Sequence, residues 1–311
     1  MHNFQAMMLK GAEMETLESR REFGFDTRFR VLPKNFGVYG DEKVFDVEEI
    51  VVATDTLPFD DYVTARKYHL ASSVFWNDSW FDVVVRFAKN LGIRSSEWWE
   101  AMLPGMTRGP APVRQFLDDF VGETKNELFP SRETCIEFYS REENFRRLQN
   151  GEIGDNLMYK YRAKASFHVW KPVCQVAMDA TRELLEACGI SGQVPQFSEF
   201  WSDFAQFDEC RHASGFTVEE ITRPVRCILR YDLDRWVQDG CPASPAAYRL
   251  DRPSWFEFRL SEESARELAA ALQVWGTELK GLSKLITRIK VSWQVRECRI
   301  LEPENSLAAV G

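Results

Sequence analysis

Long apolar runs are missing from this chain of 311 residues. No stretch of roughly eighteen consecutive apolar residues occurs, so a membrane-spanning helix is not expected. The first twenty residues also lack the charged start, apolar centre and small-residue cleavage site of a secretory leader. A cytoplasmic location is therefore the expectation. There is no basic excess: 48 Asp and Glu against 39 Lys and Arg give a net charge of −9. That balance argues against general nucleic-acid binding, which ordinarily shows a basic surplus. Paired cysteines are missing too. The seven, at 135, 174, 188, 210, 227, 241 and 298, stand singly, with no C-x-x-C or C-x-x-x-C. Neither a zinc knuckle nor an iron–sulfur motif is visible, and reduced, mostly buried thiols are expected. No internal repeat or low-complexity tract appears.

With 44% apolar and 28% charged residues, the chain has the means to build a core as one large domain or two ordinary ones. Its pattern changes twice. Residues 1–55 mix short strands with turns: Phe4 to Leu9 is an apolar run before Lys10-Gly11, of the kind buried on both faces in a parallel sheet. Phe29 to Leu32 and Val47 to Ala53 read as two more strands, separated by the turn residues Gly37 to Asp41. Residues 56–214 read as a helical domain with helices near 79–91, 96–103, 112–128, 131–150, 155–187 and 196–211. Breaks are expected at Pro104-Gly105, Pro110, Pro130, Gly151 and Gly189, and Pro172 should kink or divide the long 155–187 stretch. Residues 215–303 read as a small antiparallel α+β unit. Its strands are 224–231, 255–260 and 285–295, and its helix follows a Ser261 cap with Leu268, Leu272 and Trp275 on one stripe. Residues 304–311 are expected to fray.

A buried strand so close to Met1 has no partner before it, which suggests a preceding portion. The segment that starts there resembles the one following the catalytic barrel in cobalamin-binding radical S-adenosylmethionine proteins. The positions that carry the resemblance are Gln5, Gly11, Glu13, Thr27, Arg28, Arg30, Val31, Leu32, Pro33, Gly37, Tyr39, Ile50, Val51, Asp61 and Tyr62. The run NGEIGDNLMYKYRAKA at 150–165 is similar to the C-terminal helical region of the same family. The likeness thus covers residues 3–75, with support at 150–165, and fades beyond 215. It implies that residues 4–9 are the remnant of a partial (β/α) barrel edge, with the loop from Lys10 to Glu13 at the end where such barrels place chemistry. It also implies S-adenosylmethionine, a [4Fe–4S] cluster and cobalamin in the intact enzyme. Two departures stand out. The C-x-x-x-C-x-x-C cluster motif is absent, so this chain alone is not expected to catalyse radical chemistry. The nearest string to the cobalamin motif Asp-x-His-x-x-Gly is Asp208-Glu-Cys-Arg-His212-Ala-Ser-Gly215, which lacks an Asp at 210 and ends a helical stretch.

The resemblance makes Gln5, Lys10 and Glu13 candidates to face cofactor or substrate, the plainer alternative being a solvated turn. Arg28 and Arg30 share one strand face and suit bidentate capture of carboxylate or phosphate. Their alternative is pairing with Asp26, Glu22 or Glu48. His69 and His168 are readable as proton carriers or as partly buried core histidines. The tryptophans of the helical region suit either a pocket lining or plain core. Arg226, Arg230, Arg259, Arg288, Lys290 and Arg296 form an expected basic sheet face, suited to an acidic partner or simply solvated. Two functions follow. One is an accessory C-terminal portion of a cobalamin-dependent radical enzyme, shaping the substrate pocket beside a separate cobalamin- and cluster-bearing portion. The other is a non-catalytic helical module binding a ligand or protein. They differ over residues 4–9, which the second reading expects to be satisfied within the chain.

Overall fold

The computed structural model describes residues 5–194 and 196–301. Phe4, and the tail at 304–311 expected to fray, lie outside the described residues. The elements begin with α1 (Leu17–Glu22), β1 (Asp26–Tyr39), β2 (Glu42–Ala53) and α2 (Phe59–Phe75). Helices α3 (Asp82–Asn90), α4 (Ser95–Arg108), α5 (Ala111–Asn126), α6 (Arg132–Ser140) and α7 (Glu142–Gln149) follow. Next come α8 (Leu157–Ala163), α9 (Trp170–Ala187), α10 (Phe197–Arg211), α11 (Val218–Thr222), β3 (Val225–Tyr231) and α12 (Leu233–Gln238). The described chain closes with β4 (Arg249–Arg259), α13 (Glu262–Trp275), α14 (Leu279–Leu285) and β5 (Glu297–Ile300). The fold is α+β and mainly helical, as the pattern predicts, with an antiparallel pair β1-β2 and an antiparallel sheet ordered β3-β4-β5. Among the described residues no helix is long and apolar enough to cross a membrane. Packing groups the chain into two compact units, unit 1 from residues 1–70 and 116–161, and unit 2 from 71–115 and 162–311.

Unit 1 is organised by the β1-β2 hairpin. Gly40 takes φ +62° in its two-residue turn, a conformation open to a residue without Cβ. The register slips between Val31 and Phe36, and the slip holds Pro33, which has no N–H to give a ladder. Val31 and Phe45 pack with Cys135, Tyr139, Phe145 and Leu148. The expected single helix 131–150 is two helices, broken at the extended Arg141. In one straight helix Tyr139 and Phe145, six residues apart, would point to different sides. The break lets both face the hairpin. A second cluster joins Ile50 and Val52 to Tyr62, Val63, Val121 and Leu128.

The N-terminal run departs from its expected burial. Met7 makes an antiparallel bridge to Ile50, with Met8 N–H bonded to the Glu49 carbonyl and Val51 N–H to the Ala6 carbonyl. Met8 is buried, whereas Met7 and Leu9 are 43% and 60% exposed. The segment therefore borders β2 with one side chain in the core, because β2 is its neighbour within the chain.

Unit 2 packs α4 against α9. Pro104 does not end α4, which continues to Arg108 and buries Trp98, Met102, Leu103 and Met106. Gly105 is a close approach: a Cβ there would lie 3.1 Å from Val176 and 3.3 Å from Ala180 on α9. The long 155–187 stretch does divide, but upstream of Pro172. A π-helical turn, Lys164–His168, separates α8 from α9, and Pro172 sits in the first turn of α9, where a missing N–H breaks no helical bond. Phe87, Phe200, Phe204 and Trp236 form an edge-to-face aromatic core. Strands 224–231 and 255–260 and the Ser261-capped helix occur as expected, with Leu268 and Leu272 fully buried. The third expected strand, 285–295, does not form. Leu282, Leu285 and Ile289 fit helical spacing as well as alternation, and they pack with Leu268 and Leu272. The third strand of the sheet is instead β5, from Glu297.

Candidate functional site

Unit 1 gathers two of the five sequence candidates into one polar cluster. Gln5, beside β2, donates from its side-chain amide to the Tyr62 hydroxyl on α2. Arg30 on β1 lies opposite Glu48 on β2 and binds it through Nε. Its NH1 reaches Glu127, just beyond α5, at 2.9 Å. Arg66, one turn after Tyr62 on α2, completes the group with its guanidinium over the Phe120 ring, 5.6 Å from the centroid. Arg66 is 6% exposed, and its Nε has no hydrogen-bond partner. Burial pushes the Glu127 carboxyl up, against Arg30 and Arg66, which pull it down. Burial likewise pushes Arg66 down, against the charge of Glu127. Arg30 keeps 16% of its side chain exposed; against burial, Glu127 and Glu48 hold it above its ordinary value. The difference follows pairing: Arg30 donates to two carboxylates, Glu48 and Glu127, whereas the Arg66 shift draws on charge alone against burial. The arrangement holds two guanidinium groups, two carboxylates, an amide and a phenol on one side of the hairpin.

The other three candidates lie elsewhere. Lys10 is exposed in the turn after the Met7 bridge, and Glu13 is exposed in a short 3-10 turn, Glu13–Glu15. Arg28 pairs with Asp26 and donates to the Thr27 carbonyl at 2.8 Å. Arg28 and Arg30 thus take the pairing alternative, each held by a carboxylate on the hairpin. Arg20 on α1 makes a two-pronged bond to Glu49 at 2.7 and 2.9 Å, a pairing no sequence spacing announced.

The expected basic sheet face is corrected by one residue. Glu257, fully buried on the central strand β4, receives Arg226 at 2.8 Å, Arg299 at 2.6 Å and Arg259 at 3.1 Å. Arg230 binds Asp203 on α10. Arg296 turns inward and donates to the carbonyls of Cys210, His212 and Ile221. Arg288 and Lys290 are outside the strands. The acids that neutralise the face come from a neighbouring strand and from a helix, so strand alternation alone left them out.

Unit 2 has a cleft of about 290 Å³ that sequence reasoning missed, although its residues surround the string dismissed as a cobalamin motif. It is lined by Trp170, Cys210, His212, Phe216, Arg223 and Arg296 among others. His212, 4% exposed, packs at tilted angles against Trp80 and Trp170, with ring centroids 5.2 and 4.1 Å away. The Gln294 amide donates to Ser166 Oγ at 3.0 Å, and the same hydroxyl shares a hydrogen bond with His212 Nε2 at 2.8 Å. Burial, then the charge of Arg296, pushes His212 down to about 3. Asp208, one helical turn earlier, is 2% exposed, and neither carboxylate oxygen has a hydrogen-bond partner. Burial pushes it up to about 7, against the charge of Arg211. His168 stacks on Phe216 with ring centroids 4.7 Å apart. Of the tryptophans weighed from sequence, Trp80, Trp98 and Trp201 are core, Trp170 is buried at the wall of this cleft, and Trp76 borders a second cleft of about 450 Å³. Among the described residues no group of three His, Cys, Asp or Glu side chains converges as metal ligands. No family model matches the chain, and a search of curated proteins gave no match.

Proposed function

We propose that this chain is an accessory portion of a cobalamin-dependent radical S-adenosylmethionine enzyme, one that shapes the substrate pocket. On this reading the cluster and the radical chemistry belong to another portion, since this sequence holds no C-x-x-x-C-x-x-C motif. The support is the sequence resemblance together with one observation. Parts of the two separate segments that carry the likeness, within residues 5–70 and 150–161, pack on each other in unit 1. Gly154, at φ +65°, lies so close to Val31 and Leu148 that a Cβ would be 2.8 Å from the first and 2.5 Å from the second. Within the first segment, Gln5, Arg30 and Tyr62 belong to one polar cluster. On this reading Arg30, Arg66 and Gln5 set the polarity of a substrate-facing wall. The methyl group, the radical and the electrons are supplied by cofactors of the other portion, and no step is assigned to a residue of this chain.

One observation favours the second reading, a self-contained ligand-binding module. The backbone of residues 6–8 is bonded to β2 within the chain, as that reading expects. Hydrogen exchange on the full chain, alone and mixed with a cluster-bearing protein encoded beside it, separates the two. The accessory reading expects co-elution, added protection at residues 5–13 and reductive cleavage of S-adenosylmethionine that depends on both chains. Full protection of the lone chain, with no co-elution and no effect on cleavage, leaves the independent module.

A further inference from the structure

Three cysteines far apart in sequence approach one another where α10 packs on the β3-β4-β5 sheet. Asp203 on α10 binds both the backbone N–H and the side chain of Arg230 on β3, which fixes the register of helix against strand. From Asp203, seven residues along α10 cover about 10 Å, and three residues back along β3 also cover about 10 Å. Those steps end at Cys210 and Cys227. The Phe207 ring meets Phe258, 5.5 Å between centroids, and Phe258 is the partner of both Val225 and Cys298 across the sheet. The helix therefore runs antiparallel to β3, and its last turn, which carries Cys210, lies against the sheet that carries Cys227 and Cys298. Both thiols are free and buried, and Cys298 is half-buried.

Cys210 differs from Cys227 and Cys298 in lining the cleft. Three cationic groups, Lys171, Arg223 and Arg296, line that space against Glu209 and Glu220. Arg296, 5% exposed, is held by NH1 and NH2 on three backbone carbonyls, while its Nε has no partner.

We propose that Cys210 and Cys227 are a reversible dithiol–disulfide pair, with Cys210 the thiol attacked through the cleft and hydroperoxides the class of oxidant. Cys210 sulfur attacks the O–O bond of the peroxide. An S–O bond forms, the O–O bond breaks, and the departing oxygen takes up the thiol proton, leaving as water from hydrogen peroxide or as the alcohol from an organic hydroperoxide. The Cys227 sulfur then attacks the resulting sulfenic acid: the S–S bond forms, and hydroxide leaves with the Cys227 proton as water. Two thiols lose two electrons and the peroxide gains them.

The electrostatics agree with this division of roles. A hydrogen bond from Cys227, and secondarily the charge of Arg296, hold the Cys210 thiol below its usual range against burial. That same hydrogen bond, together with burial, pushes Cys227 up. The acidified member is the one at the cleft, and thiolate character together with access selects which cysteine reacts first. The product would clamp the last turn of α10 to β3, beside the cleft wall that His212 and Arg296 build.

The test is peptide mass mapping of the full-length chain after a stoichiometric dose of hydrogen peroxide, without reductant. The expected result is a linked peptide pair joining 210 to 227, short of two hydrogens, that dithiothreitol reverses. In Cys227→Ala a dimedone adduct should accumulate on Cys210, and in Cys210→Ser no 227-containing link should form. The exposed Cys188 is the internal control for unselective oxidation. Oxidation of Cys188 with 210 and 227 remaining as thiols overturns the proposal, as does a link of either residue to Cys298. Because the first readout uses the unmodified chain, failure of a variant to fold does not shield the idea.

Discussion

Asp208→Asn should expose a pH dependence that the unmodified chain conceals. The Asp208 carboxyl is raised from 3.8 to about 7, so its contribution to stability is present below the unfolded value and lost as pH rises through 7. His212 has the opposite sign. Its value is depressed from 6.5 to about 3, so its contribution is present above the unfolded value and lost as pH falls toward 3. At about 1.36 kcal/mol per unit, moving from pH 8 to pH 5 removes roughly 2 kcal/mol through His212 and returns roughly 3 kcal/mol through Asp208. The two nearly cancel. Removing the carboxyl charge should leave the histidine slope alone, a loss of about 2 kcal/mol between those pH values. At pH 8 the variant should gain roughly 1–3 kcal/mol, because a buried carboxylate without a hydrogen bond, only distantly paired with Arg211 at 3.9 Å, costs more than an amide in its place. The assay is urea unfolding followed by tryptophan fluorescence. All ten tryptophans fall at 76–99 and 170–293, so the signal reports unit 2. Equal and flat stability of both chains from pH 8 to pH 5 would refute the reasoning, as would a steep slope in the unmodified chain that Asp208→Asn removes.

The remaining predictions concern packing and charge. Glu127→Leu leaves Arg30 and Arg66 facing each other in a buried site and should cost about 3–5 kcal/mol. Circular dichroism should register that loss at lower urea than tryptophan fluorescence does, and Arg66→Met in the same chain should recover part of it. Gly154→Ala combines a left-handed backbone with a Cβ 2.5 Å from Leu148, for a loss of roughly 1–3 kcal/mol in thermal melts. A melt unchanged by that substitution would mean that the 150–165 segment does not pack on β1 as described. Glu257→Gln should cost roughly 1–3 kcal/mol by tryptophan-monitored unfolding, moderated because its three arginines keep 36–60% side-chain exposure. Its cost should shrink at high salt if the guanidinium groups escape to solvent.

Local physics was legible wherever one signal dominated. Ser261 before two glutamates announced α13, and the alternation of Val225, Cys227, Leu229 and Tyr231 announced β3, because capping and period-2 burial act over a few residues. Where two periods fitted the same residues, as at 285–295, the choice belonged to the partner surface: Leu268 and Leu272 were waiting on α13. Proline was a weaker guide than it looked. Pro104 lies within a helix whose other face is buried, and Pro33 lies in a strand that slips register around it.

The polar groups divide the same way. Composition and spacing established an acidic chain with isolated cysteines, a mixed α+β pattern and the residue types present in each region, all properties of neighbours in sequence. Which charges meet is a property of neighbours in space. Arg30 finds Glu127 from 97 positions away, and three arginines converge on Glu257 from three strands. Those pairings, and the values near 7 and 3 at Asp208 and His212, depend on how much water packing removes, which no local pattern encodes.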